Sequence, residues 1–461
     1  MFFCLPILDQ EQITIPLSEY QSLLALVSRL EAKIILLEEE IKLLKNGRNS
    51  KTSSLAPSHD IAKSNSKSLR EAFGLKTGGQ QGHEGSTLKM VAIADEIKHY
   101  RPYFCKACGN SLLNEQSELV SKKQEIELPT LTPKYIEHQS YSCRCTKCGI
   151  KTVSELPVHL KGNIQYGASV SALVAYLSVR QYISYNRVAE MMRDCFAIPL
   201  SEGTVDNLLD SVAQQAMPIY EIIQKRVEVS KVVGGDETGI KINGSKGWLF
   251  TFQTPTLTFL NVSLSRGYDS ILNVFANGFP MATYVSDCLA AQLKTPAKHH
   301  QICIAHLLRE LTNFTVAFDC PWAKQMKQLL VQAIELKKGL QPTDYLTTNE
   351  TVILIANRLD ELLNDTNYYN HKKIKAFVKR LRKNETSVLT FLYHQKVPPD
   401  NNASERAIRN AKVKMKVSNQ FKTLTGANRF AIIRSVIDTT IKNSQNVLQA
   451  LTLLPNFNPA E

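Results

Sequence analysis

An α/β fold, with a sheet-based core and a separate helical insertion, is predicted by three features of this chain. Apolar strands alternate with a helix between residues 231 and 311, an acid stands directly after two of those strands, and a long helix-patterned stretch precedes a third acid. At 461 residues with 43% hydrophobic content, the chain has room for roughly three domains of about 150 residues and ample apolar material for their cores.

The chain starts without the basic, long-apolar and small-residue pattern of a secretory signal over Met1 to Leu8. Its most apolar early run, Leu23 to Leu37, is broken by Arg29, Glu31 and Lys33, so no membrane span is expected and the expected location is cytoplasmic. The same region carries heptads: Tyr20, Val27, Ile34 and Ile41 at one position, and Leu23, Leu30, Leu37 and Leu44 three residues later. β-branched residues at a with leucine at d favour a parallel two-stranded coiled coil, and Lys33 would face Glu38, and Glu40 would face Lys45, across it. Residues 1–46 are therefore read as a coiled-coil helix that makes the chain a homodimer or higher oligomer. An amphipathic helix packed on its own chain is the alternative. Residues 47–90, rich in Ser, Lys, Asn and Gly, read as a flexible linker.

Ten cysteines are too few for a disulfide scaffold. Five of them fall between Cys105 and Cys148, and four form two C-x-x-C-G knuckles, Cys105/Cys108 and Cys145/Cys148. The two-residue spacer lets both thiolates of a knuckle point at one ion, and the glycine permits the tight turn. Four thiolates close a tetrahedral Zn²⁺ site, which makes the zinc structural and residues 91–160 a zinc-binding module. Cys143 is a spare ligand, and redox chemistry is the alternative. Residues 161–228 read as helical, with a candidate helix-turn-helix from Tyr185 to Val212 whose second helix is capped by Ser201. That helix carries Glu202, Asp206 and Asp210 and no base up to Val212, so core packing competes with DNA reading.

From residue 229 to about 440 the pattern becomes strand, strand, strand, helix, strand: Lys231–Gly235, Gly247–Gln253, Leu257–Leu264, Asp269–Ala276 and Ala282–Ser286. A further strand and helix span Gln301–Leu311. This is the order of a ribonuclease-H-like core, in which adjacent first and fourth strands bring Asp236 and Asp287 together. Two unpaired carboxylates require a cation, and oxygen ligands suit Mg²⁺ or Mn²⁺, which can activate an attacking oxygen and stabilise a leaving one in phosphodiester chemistry. The third acid is Glu405, in the first turn of a helix that starts after Pro398-Pro399, with Asn401 or Asn402 as cap. Between lies a helical insertion at about 307–398, with helices at Pro321–Lys337, Val352–Leu363 and Lys372–Arg382.

After Glu405 come Arg406, Arg409, Lys412, Lys414, Lys416, Lys422, Arg429 and Arg434 with no acid among them. The whole chain carries a net charge of +13. A one-signed stretch beside a metal site suits a phosphate backbone, and the first six of these residues are the candidate DNA-binding set. Residues 441–461 read as a C-terminal tail.

Several segments together resemble the insertion-sequence-66 family of bacterial DDE transposases. They are Gly78-Gly79-Gln80-Gln81-Gly82-His83-Glu84-Gly85, the paired knuckles, Asp236-Glu237-Thr238, Cys303-Ile304-Ala305-His306, and the run Asp400-Asn401-Asn402-Ala403-Ser404-Glu405-Arg406-Ala407-Ile408-Arg409. The resemblance implies catalytic roles for Asp236, Asp287 and Glu405, which would hold Mg²⁺ or Mn²⁺. It implies cleavage at element ends and strand transfer into target DNA, with accessory transposition proteins as candidate partners. The chain departs from the family at Ser286-Asp287-Cys288-Leu289-Ala290, where D-G-Y is usual, and at Lys414–Asn419, where G-R-K-N is usual. Cys303 and His306 are read as packing or support of the site. Two other readings stay open: a decayed DNA-binding regulator, and a structure-specific nuclease of the same fold.

Overall fold

A computed structural model of the chain describes residues 16–45, 88–347, 349–365 and 371–457. Linker residues 47–87, with the Gly-Gly-Gln run, and the last four residues lie outside the described residues. Helix α1 spans Leu17–Lys45 without interruption. Its apolar positions Tyr20, Leu23, Val27, Leu30, Ile34, Leu37 and Ile41 are all exposed. None of residues 88–170 is buried. The only regular pairing there is a hairpin of β1 (Ser142–Arg144) and β2 (Lys151–Val153) around the second knuckle, together with a single bridge, Phe104 to Ser111, around the first.

The buried part of the chain begins at α2 (Ala168–Ala175), which runs on into a π-helical turn. Helices α3 (Tyr185–Phe196) and α4 (Glu202–Glu228) follow, and the Ser201 hydroxyl caps α4 by accepting from the Thr204 N–H as the sequence predicts. In place of a short reading helix, α4 has 27 residues and packs along a later helix. Asp206 and Asp210 accept from the guanidinium of buried Arg429, so the acidic face of the helix-turn-helix candidate is used for packing. This corrects the count of backbone-facing bases as well. Arg429 and Arg434 are interior, the latter fully buried and paired with Asp438 at 2.7 Å.

A five-stranded sheet follows. Its strands are β3 (Val232–Ile242), β4 (Ser245–Gln253), β5 (Thr258–Ser263), β6 (Phe279–Ser286) and β7 (Ala297–Ile302), in the order β5-β4-β3-β6-β7. The first three strands are antiparallel; β6 and β7 run parallel to β3. The short helices α5 (Asp269–Leu272) and α6 (Ala290–Lys294) connect them. Strand β3 is longer than its apolar run suggested, because Asn243 and Gly244, both at positive φ, form the two-residue turn that leads straight into β4. Asp236 therefore stands inside a strand. It lies just past the point where pairing with β6 stops, at Gly234↔Val285.

Alternation along the strands sorts the two faces. Phe250, Phe252, Phe259, Phe279 and Tyr284 gather with Phe275 in one buried aromatic cluster under α4. Val285 and Ile302 face a second core, made with the insertion helices α7 (Ile304–Phe318), α8 (Pro321–Gly339), α9 (Glu350–Asn364), α10 (Lys372–Lys383) and α11 (Thr390–Tyr393). Helix α12 (Asn402–Ser418) packs against β3 and β4, and α13 (Leu424–Lys442) lies against β5 and α4. The predicted tail is folded in part: α14 (Val447–Leu453) packs on α2.

Candidate active site

Register brings the first two acids together. Val232, Val233 and Gly234 pair in parallel with Thr283, Tyr284 and Val285, and the same register continued by two residues sets Asp236 opposite Asp287. Both carboxylates then share the face of Val232 and Val285, the face of the helical core. Burial pushes the Asp236 carboxyl well above the usual carboxylate range, and the negative charges of Asp287 and Glu237 push it further.

One glycine admits the helix of the third acid. A Cβ on Gly234 would stand 2.7 Å from Ser404 Oγ and 3.0 Å from Asn401 Oδ1, so the start of α12 sits directly on the strand. Asn401 occupies the cap position but makes no capping bond. Its amide donates to the Gly235 carbonyl at 2.6 Å, its Oδ1 accepts from Ser404 Oγ at 2.6 Å, and its backbone N–H points at Cys303 Sγ at 3.2 Å. One buried asparagine thus ties β3, the start of α7 and the start of α12 together, one turn from Glu405.

His306 links the other two acids. Its Nδ1 lies 3.0 Å from Asp287 Oδ1 and its Nε2 lies 3.7 Å from Glu405 Oε1. The first approach has ion-pair length but poor hydrogen-bond alignment, and neither atom has another hydrogen-bond partner although both are buried. Burial opposes a charge on the imidazole. Contacts with Asp287 and Cys303 outweigh that, and the pKa is raised to about 10. Arg309 reaches Glu405 Oε1 at 3.4 Å, nearer than Arg409 at 3.9 Å to Oε2. Among the described residues, Asp287, Cys303 and His306 are the one group of three or more acidic, His or Cys residues whose ligand atoms all lie within 4.8 Å of each other.

Cys303 and His306 show no partners in the sequence because Asn401 and Glu405, which they meet, lie far along the chain and Asp287 lies on a different element. Arg309, one turn beyond His306, carried no separate signal. Glu237 was passed over too: it is buried, accepts from Arg266 at 2.6 Å and from Gln292 at 2.5 Å, and so is a structural neighbour of the cluster.

The four knuckle cysteines are not brought together as one such group. Each knuckle is nevertheless formed, with Gly109 and Gly149 both at φ +75° and their N–H groups donating to the Cys105 and Cys145 carbonyls. Backbone N–H groups of Cys108 and Ala107, and of Cys148 and Lys147, lower the thiol pKa of Cys105 and Cys145. Of the DNA-binding candidates, Arg406, Arg409, Lys412, Lys416 and Lys422 are exposed, while Lys414 is half-buried near Tyr185 and Arg429.

A mixed sheet carrying acids on adjacent strands and on a helix packed across it fits the class of DNA-recombining enzymes, and sequence comparison names that class. The sequence model described as "Transposase IS66 family" matches residues 163–429, more than half of the chain and all three acids. The chain belongs to the IS66 family of transposases. It is also 26% identical over 153 residues to "Uncharacterized protein y4hP" of Sinorhizobium fredii (strain NBRC 101917 / NGR234), a match covering 32% of this chain and 27% of that protein. The chain therefore spans about a quarter of the length of that curated relative. No described helix is long and apolar enough to cross a membrane.

Proposed function

We propose that the chain is a metal-dependent DNA transposase, with a ribonuclease-H-like core at residues 229–440 in which Asp236, Asp287 and Glu405 hold Mg²⁺ or Mn²⁺. The observation that carries this reading is the register of β3 with β6, continued to Asp236 and Asp287, together with the His306 bridge from Asp287 to Glu405. The sheet order β5-β4-β3-β6-β7, with two parallel strands beside three antiparallel ones, supports the core assignment.

The residues present fit divalent ions. Their donors are carboxylate oxygens; buried Asp287 Oδ1 meets only the His306 imidazole, at ion-pair length, and burial, with the charges of Asp287 and Glu237, holds the Asp236 carboxyl above the usual range, which a bound cation would offset. When bound, such ions lower the pKa of an attacking water or hydroxyl and neutralise the leaving oxygen. The chain's own work is positional. Asn401 and Gly234 hold the start of the Glu405 helix against the strand, while His306 and Arg309 fix the carboxylates of Asp287 and Glu405. Exposed Arg406, Arg409, Lys412, Lys416 and Lys422 offer donors to phosphates along the helix that starts beside the acids. A water is the first nucleophile at the element's end, and the 3′-hydroxyl it liberates then attacks target DNA.

The remaining parts complete the proposal. Helix α1 pairs with a second copy through its exposed heptad face, and the two knuckles take one structural Zn²⁺. A segment of about eighty residues with no buried side chain lacks the core that would fold it otherwise, which favours a metal staple. Incubation of the purified chain with Mg²⁺ and a duplex carrying the element's end tests the function. Cleavage to a 3′-hydroxyl followed by joining is expected, and binding without cleavage would leave a DNA-binding regulator.

A further inference from the structure

The basic residues beyond Glu405 leave unused a denser cluster in the insertion. Helix α10 reads Lys-Lys-Ile-Lys-Ala-Phe-Val-Lys-Arg-Leu-Arg-Lys over Lys372–Lys383, seven basic residues in twelve with no acid. Ile374, Phe377, Val378 and Leu381 are buried in the helical core. At 100° per residue, Lys372, Lys375, Lys379 and Lys383 fall on the opposite side, all exposed. Packing explains the apolar stripe, and it explains Arg380, which reaches Glu310 on α7 at 2.6 Å, and Arg382, which donates to the Leu363 carbonyl at 2.5 Å. It does not explain the outer stripe. Among the described residues no ion pair engages Lys372, Lys375, Lys379 or Lys383.

Position makes the stripe useful. The Arg380–Glu310 pair locks α10 to the helix that carries His306 and Arg309. Arg380 is also among the charges felt by the Cys288 thiol, the residue after Asp287. The helix that carries the stripe is therefore joined to the helix that carries His306 and Arg309 by one ion pair and a shared core. At about 1.5 Å per residue a helix of this length covers roughly 18 Å, the reach of about five phosphates at 3.4 Å spacing along one strand.

We infer that the outer face of α10 is a docking surface for the phosphate backbone of duplex DNA flanking the bond to be cut. This rests on the transposase reading above and adds a contact that the basic run after Glu405 does not provide. Lysines on a helix read no base edge, so the surface positions DNA without regard to sequence.

The test is a salt titration of binding to a fluorescent duplex of random sequence. The full-length chain is compared with a variant in which Lys372, Lys375, Lys379 and Lys383 are all alanine. Alanine keeps helix propensity and the buried face is untouched, so circular dichroism and melting should match the parent. Each lost phosphate contact flattens the slope of log K against log salt by about 0.9, so four predict a change of roughly 3 to 4, with a 10-fold or greater loss of affinity at low salt. An unchanged slope in a variant whose parent binds would overturn the α10 surface and leave the transposase reading standing. A parent chain that binds no duplex at all would overturn both.

Discussion

Gly234 is the position where a single methyl group is expected to disturb the site most. A Cβ there would lie 2.6 Å from Gln253 Nε2, 2.7 Å from Ser404 Oγ and 3.0 Å from Asn401 Oδ1, against ordinary separations of about 3.5 Å. The Gln253 amide is the far end of a flexible side chain and can swing away. Ser404 is fully buried in the first turn of α12, and its hydroxyl is held by Asn401, so the helix start itself must retreat by about 0.8 Å. Overpacking of this size costs about 1–3 kcal/mol. The functional loss should be the larger effect, because Glu405 follows Ser404 directly and a displacement near 1 Å typically costs about 100-fold in rate. Gly234→Ala should therefore melt a few degrees lower and cleave DNA about 100-fold more slowly in Mg²⁺ under single-turnover conditions. Adding Ser404→Ala removes the hydroxyl that the methyl group meets and should restore part of the rate. Wild-type cleavage by Gly234→Ala would refute the idea that this glycine seats the Glu405 helix.

Three further outcomes are expected. His306→Ala should lower the apparent affinity for Mg²⁺ by about 10–100-fold, since the imidazole pairs with Asp287 and meets Arg309, the residue that reaches Glu405; an unaltered Mg²⁺ dependence would reduce His306 to packing. Replacing Ile34 and Leu37, both about half exposed on α1, by polar residues should release monomers in sedimentation, and an unchanged oligomer would exclude the heptad face as the main contact. Metal analysis should find about one zinc per chain, lost in Cys108→Ser with unfolding confined to the knuckle region. Zinc content that survives replacement of all four knuckle cysteines would void the site.

The acids of the candidate site were more legible in the sequence than the geometry around them. Asp287 was legible because an apolar strand stops just before it. Asp236 was misplaced at a strand end: its strand continues through Ile242 in polar-apolar alternation, and the Asn243-Gly244 turn that signals the continuation lies seven residues on. The insertion helices matched within a few residues, since each buries one stripe. Helix α13 escaped notice because it is buried nearly all round, with Arg429 and Arg434 neutralised inside, so it shows no amphipathic period and its arginines mimicked a DNA-facing run. His306 was legible only as packing or support of the site and Asn401 only as a cap; the particular contacts of each were not. Asn401 acts on Gly235 across 166 residues of chain and His306 on Glu405 across 99, and no local pattern encodes such a contact.

The central claim is that Asp236, Asp287 and Glu405 hold the ions that cut and join DNA. Its most direct measurement is Mg²⁺-dependent cleavage and strand transfer by Asp236→Asn, Asp287→Asn and Glu405→Gln, each of which keeps the side chain's shape and removes its charge. All three should lose both reactions while duplex binding stays near the parent's, because the phosphate contacts of the basic surfaces persist. Asp269→Asn and Asp319→Asn, acids of the same region outside the cluster, should cleave normally. Retained activity in any of the three, with a different acid of the insertion proving essential, would contradict the assignment.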